Sequence, residues 1–219
     1  RHTRLQGDWS SDVCSSDLNV SLVGQPGAIL RIEPSTRTDV LDYLGYGFTE
    51  FRVANPQAFS VGDGVLIQDR FSPGFYSTVG TIVAQRGDTF FLDRPFHHDY
   101  LPHQGAEAIR THSILEILGV ENASVRGLKL DGNREHTIVI NGCRAGAVFM
   151  LQSKNITIEN VTIERFNGDA LSFQQCTNIT VRHNEISHCA GGGLHPGSGS
   201  FNYLLEHNHV HDNGGTGLF

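Results

Sequence analysis

Three stretches, NITIENVTIERFNGDAL (155–171), NITVRHNEISHCAGGGL (178–194) and NYLLEHNHVHDNGGTGL (202–218), align without a gap over seventeen residues. Their first residues, Asn155, Asn178 and Asn202, stand 23 and 24 positions apart. A fourth copy, NASVRGLKLDG (122–132), begins 33 positions before Asn155 and fits once about ten residues are inserted around 133–142. A period of this length marks a stack of supersecondary units, none of which buries its apolar face alone. Within each copy apolar and polar residues alternate in short runs broken by Asn and Gly, the period of strands; the 3.6-residue spacing of helices is missing.

The alternation turns Ile156, Ile158, Ile163, Leu171 and Phe173 inward in one copy and Ile179, Val181, Ile186 and Leu194 in the next. Asn184 and Asn208 share a column where inward amides can hydrogen-bond along the stack. Gly168, Gly191 and Gly215 share another, as a turn demands when it needs positive φ or a close backbone approach. Three short strands per 22–24 residues resemble a right-handed parallel β-helix of the pectate lyase-like superfamily, over 122–219 above all. The resemblance implies an all-β solenoid, a polysaccharide partner, and a secreted or cell-envelope setting.

Working toward the N-terminus, NVSLVGQPGAILRI (19–32) reads as a first coil within 19–39. The repeat is lost over 40–112, where FSVGDGVLIQDR (59–70) and GTIVAQRGDTFFLDRPF (80–96) read as strands joined by Gly-Asp turns, a small β excursion inserted near the N-terminus. SILEILGV (113–120) returns to the solenoid, whose coils then run over 113–219, where the sequence ends in mid-strand. Residues 1–18 have no strand or helix period. Asp8–Leu18 and Arg1–Arg4 back-translate to strings resembling the two ends of a sequencing-library adapter, so 1–18 are expected to be adapter-derived.

The chain has 219 residues, 25 of them Gly, and a formal net charge of −7. That balance argues against nucleic acid and anionic membranes as partners. No apolar run reaches the roughly 18 residues of a membrane span. There is no Rossmann or P-loop segment for a nucleotide. The spacings do not fix the oligomeric state.

The candidate site follows from the coil register. Phe149, Ser172, His195 and Phe219 fall in one outward column, a floor for sugar stacking with one titratable group. GDALSFQQCTNITVRHNEISHCAGGGLHPGSGS (168–200) resembles the polygalacturonases, which carry Gly-Asp-Asp on one coil and Gly-His-Gly on the next. Asp169 matches the first Asp, but Ala170 replaces the second and Gly192 stands where the His belongs. Gly146 lies near the place of the family's earlier Asp. Hydrolysis by that pair of carboxylates is therefore not expected. His195 and Asp169 are the catalytic candidates, His195 as a general acid or base. No Arg or Lys shares the strand column, which weakens a lyase reading. LDGNREH (130–136) supplies a second candidate, with Asp131 and Arg134 as substrate contacts.

HNHVHD (207–212) puts His209 and His211 on one strand face, but no third ligand is evident in sequence, so no metal site is assigned. A divalent ion such as calcium is left open, and no other cofactor is expected. Asp212, one coil from His188 and near Arg165, reads as part of a surface ion-pair ladder. Cys143 and Cys189 lie two coils apart, too far for a disulfide. Asn155 and Asn160 match glycosylation acceptors but suit the coil turns. Two functions compete: a lyase, hydrolase or epimerase acting on a polysaccharide, and a non-catalytic module for glycan binding, adhesion or a tail-fibre-like stalk.

Overall fold

The computed structural model describes residues 19–219 and, as backbone, the strand Thr3–Gln6. The rest of the expectation about residues 1–18 lies outside the described residues. Three parallel sheets form a solenoid. The first holds β1 (Thr3–Gln6), β10 (Leu115–Leu118), β13 (Val148–Leu151), β16 (Leu171–Gln174) and β19 (Leu194–Pro196) in that order. The second holds β2 (Ser21–Val23), β11 (Glu121–Arg126), β14 (Lys154–Glu159), β17 (Thr177–Arg182) and β20 (Phe201–Glu206). The third runs β3 (Ile29–Arg31), β12 (Lys129–Asp131), β15 (Thr162–Glu164), β18 (Glu185–Ser187) and β21 (His209–His211). The fold is the parallel β-helix that the repeats specify, and no α-helix occurs among the described residues.

The register explains why the repeat is gapless. Val125, Ile158, Val181 and Leu205 stand in one column, and Leu130, Ile163, Ile186 and Val210 in another. Leu115, Val148, Leu171 and Leu194 make a third. Nearly all of these side chains are buried and belong to one continuous core. A fully buried aliphatic side chain contributes about 1.5–3 kcal/mol, so coils are stable only where neighbours complete the column.

The corners are written in Asn. Asn122, Asn155, Asn178 and Asn202 all have φ of 56–57°, left-handed backbone that Asn tolerates better than other side chains. Outside the coils their amides form a ladder: Asn155 Nδ2 donates to Asn122 Oδ1 at 2.7 Å, Asn178 to Asn155 at 2.8 Å, and Asn202 to Asn178. A second, buried ladder runs through Asn184, whose Nδ2 donates to Asn208 Oδ1 at 2.9 Å and to the Ile158 carbonyl at 3.1 Å while its Oδ1 accepts the Val161 amide. The Gly column answers the close-approach demand rather than the φ demand. A Cβ on Gly191 would stand 2.1 Å from Asp169 Oδ1, and one on Gly168 2.5 Å from the Ile140 carbonyl oxygen.

The excursion is a six-stranded antiparallel sheet, β4 (Thr36–Asp39), β9 (Glu107–Arg110), β6 (Gly64–Gln68), β7 (Thr78–Arg86), β8 (Thr89–Leu92) and β5 (Glu50–Arg52) in spatial order. Period-two alternation gives it two faces. Val65, Ile67, Ile82 and Ala108 join Phe51, Phe90 and Tyr100 in a core of its own. Leu66, Val79 and Ile109, on the other face, join the solenoid core. The excursion is thereby held against the first coils, and it overhangs the outer face of the first sheet.

Candidate functional site

The overhang makes a cleft of about 850 Å³, within the size range of ligand sites. Its floor is the outer face of the first sheet and the corner after it: Leu118, Phe149, Leu151, Gln152, Gln174 and Gln175. Phe75, Val79, Asp93, Arg94 and His97 of the excursion form one wall. Cys143 and Arg144, from the loop between β12 and β13, and Ser198 close it.

The charges in the cleft differ in how far they are compensated. Arg94 Nε and Nη2 donate to the two oxygens of Asp93, each at 3.1 Å, and Asp93 also accepts the Thr81 amide. Arg144 has no such partner. Its Nε and Nη2 donate to the Phe75 carbonyl at 2.9 and 2.7 Å, and its guanidinium lies 4.6 Å from the centre of the Phe75 ring. No carboxylate among the described residues pairs with it, and it keeps a net positive charge. Burial holds the pKa of His97 below its ordinary value, and the neighbouring Arg144 pushes it the same way. His97 Nδ1 has no hydrogen-bond partner and no solvent exposure. The lowered pKa favours the neutral imidazole. Burial also raises the pKa of the Cys143 thiol.

The sequence-derived column is in register: Phe149 pairs with Ser172, and Ser172 with His195. The Phe219 ring lies 4.7 Å from that of His195. Only the Phe219 end of this column is open, with that ring 77% exposed. Phe149 borders the cleft but is itself buried, and Ser172 is fully buried and donates to the Gly142 carbonyl at 2.6 Å. The loop that supplies Arg144 therefore covers the middle of the column. Asp169 and His195 meet directly, with Oδ2 2.7 Å from Nδ1, while Asp169 Oδ1 accepts the Gly192 amide at 2.7 Å. Gly142 rests on this pair: a Cβ there would stand 1.7 Å from Asp169 Oδ2 and 2.8 Å from His195 Nδ1.

Asp131 and Arg134 stand apart from this group, on the side of the third sheet. Asp131 is buried between Arg31 at 2.8 Å and Arg165 at 2.6 Å and accepts the Asn133 amide. Arg134 donates to the His188 carbonyl. The cysteines Cys143, Cys176 and Cys189 are free. Asp212 pairs with His211, not with Arg165.

The residues that the sequence reading missed are Phe75, Arg94, His97 and Arg144. Arg144 carried a faint signal, since it lies beside the non-repeating segment that any cover for the strand column would need. The excursion residues carried none in the repeat.

A family model described as a right handed beta helix region matches residues 80–219. The chain belongs to that family. No curated protein matches the chain. Among solved structures, the A-module of the mannuronan C-5 epimerase AlgE4 from Azotobacter vinelandii is 21% identical with a TM-score of 0.41, over 50% of this chain and 31% of that one. The tailspike gp61 of Pseudomonas phage phi297 is 12% identical with a TM-score of 0.35, over 90% of this chain and 38% of that one. The gp54 tailspike of the Acinetobacter baumannii bacteriophage AP22, solved with a capsular saccharide, is 11% identical with a TM-score of 0.36, over 90% of this chain and 40% of that one. The β-helix chain thus spans between about three tenths and two fifths of each of these structures, and the likeness concerns the fold alone. No helix among the described residues is long and apolar enough to cross a membrane.

Proposed function

We propose that this β-helix protein acts on an acidic polysaccharide, seating a uronate residue in the cleft with its carboxylate at Arg144. The observation that carries the reading is a guanidinium without a carboxylate partner, stacked on the exposed Phe75, in a cleft that also presents three glutamines. Aromatic faces take sugar rings, and a planar guanidinium takes a carboxylate in two parallel hydrogen bonds.

The cleft's titratable groups suit proton removal better than hydrolysis. An inverting or retaining glycosidase needs two carboxyl groups flanking the bond. Asp93 is the one carboxylate among the described lining residues, and it is committed to Arg94. Removal of the C5 proton of a uronate needs a cation to neutralise the carboxylate and a neutral base. Arg144 supplies the first and the neutral His97 imidazole the second, once the ring turns toward the bound chain. Loss of the C4 oxygen, protonated as it leaves, then gives an unsaturated sugar, and protonation of C5 from the face opposite the base gives an epimer. Asp169 and His195 enter this reading as positioning residues, since they support the loop that carries Arg144. A secreted or cell-envelope setting goes with a polymeric substrate.

The test uses the full chain with alginate, polygalacturonate and hyaluronan beside neutral glucans. The expected result is binding of an acidic polymer that weakens with salt, together with unsaturated uronate absorbance or deuterium uptake at C5. Arg144→Ala removes the binding, whereas His97→Ala keeps it and removes the chemistry. Binding without chemistry assigns the chain to the non-catalytic glycan-binding alternative. Preference for a neutral polymer refutes the uronate assignment.

A further inference from the structure

The third sheet carries a cluster on its outer face that the cleft does not use. In β18 and β21, Glu185 stands opposite His209 and Ser187 opposite His211. Alternation sends Ile186 and Val210 inward and leaves Glu185, His209 and His211 outward. Glu185 Oε2 lies 3.0 Å from His209 Nδ1, and Glu185 Oε1 lies 2.6 Å from His211 Nε2. The two imidazoles are stacked with centres 4.3 Å apart. One ligand atom from each of the three residues falls within 4.8 Å of the others. Behind them, Asp212 Oδ2 is 2.7 Å from His211 Nδ1. A carboxylate on the far nitrogen is what orients a metal-bound imidazole and directs its other lone pair at the ion.

We propose that Glu185, His209 and His211 form a binding site for a divalent cation of the zinc class, with Asp212 orienting His211. Two imidazoles and one carboxylate suit zinc, cobalt or nickel, whereas calcium takes six to eight oxygen ligands. Bonds of about 2.0–2.1 Å to a tetrahedral ion place ligand atoms roughly 3.3 Å apart. The three ligand atoms already lie within 4.8 Å of one another, a spacing that rotation of surface side chains adjusts to that value. Three protein ligands leave a fourth position for water or an external ligand. Both nitrogens of His211 face carboxylates. Imidazole ligands bind metal in their deprotonated form, so binding strengthens as pH rises.

The site is tested on the full chain after stripping with a chelator. Zinc is titrated against a chromophoric competitor, and cobalt is added as a spectroscopic probe. One zinc per chain is expected at this site, with the visible bands of tetrahedral cobalt. Glu185→Gln and His211→Ala each weaken zinc binding by more than tenfold and abolish the bands, and Asp212→Asn weakens binding about 10-fold or more. His183→Ala, at the stacked His183–His207 pair on another corner, leaves both unchanged. These side chains are at the surface, and circular dichroism confirms that the variants fold. Wild-type affinity in Glu185→Gln and His211→Ala, loss of binding in His183→Ala alone, or no zinc binding overturns the assignment.

Discussion

Gly142→Ala is expected to cost far more than a surface glycine in a loop should. The new methyl falls 1.7 Å from Asp169 Oδ2 and 2.5 Å from its Cγ. Asp169 cannot swing away cheaply, because its oxygens are held by the Gly192 amide and by His195. The loop must lift instead, and the fully buried Ser172 hydroxyl then loses the Gly142 carbonyl. Overpacking costs about 1–3 kcal/mol, and an orphaned buried polar group about 1–3 kcal/mol. The sum is about 2–6 kcal/mol, on the order of a 10 °C fall in Tm for a chain of this size. Repeat proteins unfold in parts, so two readouts are needed. Urea denaturation followed by circular dichroism gives the global loss, and the rate at which Cys143 reacts with a thiol reagent reports local lifting of the loop. An Asp169→Ala background removes the carboxylate contacts and leaves only the 2.8 Å approach to His195 Nδ1, so the cost of the methyl drops there by roughly 1–3 kcal/mol, which is the coupling. Costs that add to within about 0.5 kcal/mol, with no change at Cys143, would refute the claim that the loop rests on the Asp169–His195 pair.

Asn184→Ala strands the Val161 amide and the Ile158 carbonyl and should cost about 2–4 kcal/mol, whereas Asn178→Ala on the outer ladder costs under about 1 kcal/mol; thermal denaturation distinguishes them. Asp131 titrates below the usual carboxylate range, with burial opposing the shift and the Asn133 amide, Arg165 and Arg31 producing it. Its contribution to stability is therefore complete above about pH 4 and lost as pH falls through the lowered value. Asp131→Asn should flatten the acid limb of Tm against pH. Asp212 and then Glu185 raise the pKa of His211, so its contribution is complete below about pH 6.5 and lost as pH rises through the raised value. NMR titration of the metal-free protein should show that value falling in Asp212→Asn. Burial pushes the Cys189 thiol up to about 11, so Cys189 should stay unreactive in folded protein while half-buried Cys143 is modified first; equal rates would contradict the packing.

The solenoid was legible because its determinants repeat. Inward Ile158 and Val181, the corner asparagines and the Asn184–Asn208 pair recur at one spacing, and stacking converts that spacing directly into contact. The cleft was not legible. Phe75, Arg94 and His97 lie in the segment where the period is lost, and only the packing of Leu66, Val79 and Ile109 fixes where that segment folds back. The site residues of the coils fall in between. Asp169 and His195 are recognisable one by one, but their contact joins a residue before one strand to a residue within the next coil's strand. Glu185 was within reach: it aligns with His209 at the repeat distance, so the third ligand was present in the same register that found the fold.

The continuity of Leu66, Val79 and Ile109 with the solenoid core has a mechanical consequence. Under tension applied from the C-terminal end in a single-molecule experiment, the later coils should unspool singly. Each of 23–24 residues releases about 80 Å of contour at roughly 3.3–3.6 Å per residue. The excursion is tied to the coils through that shared core and through Arg144 on the Phe75 carbonyl. It should hold until the coils it is joined to give way, and then yield with them in one longer extension, so that a sawtooth of even teeth ends in a single large one.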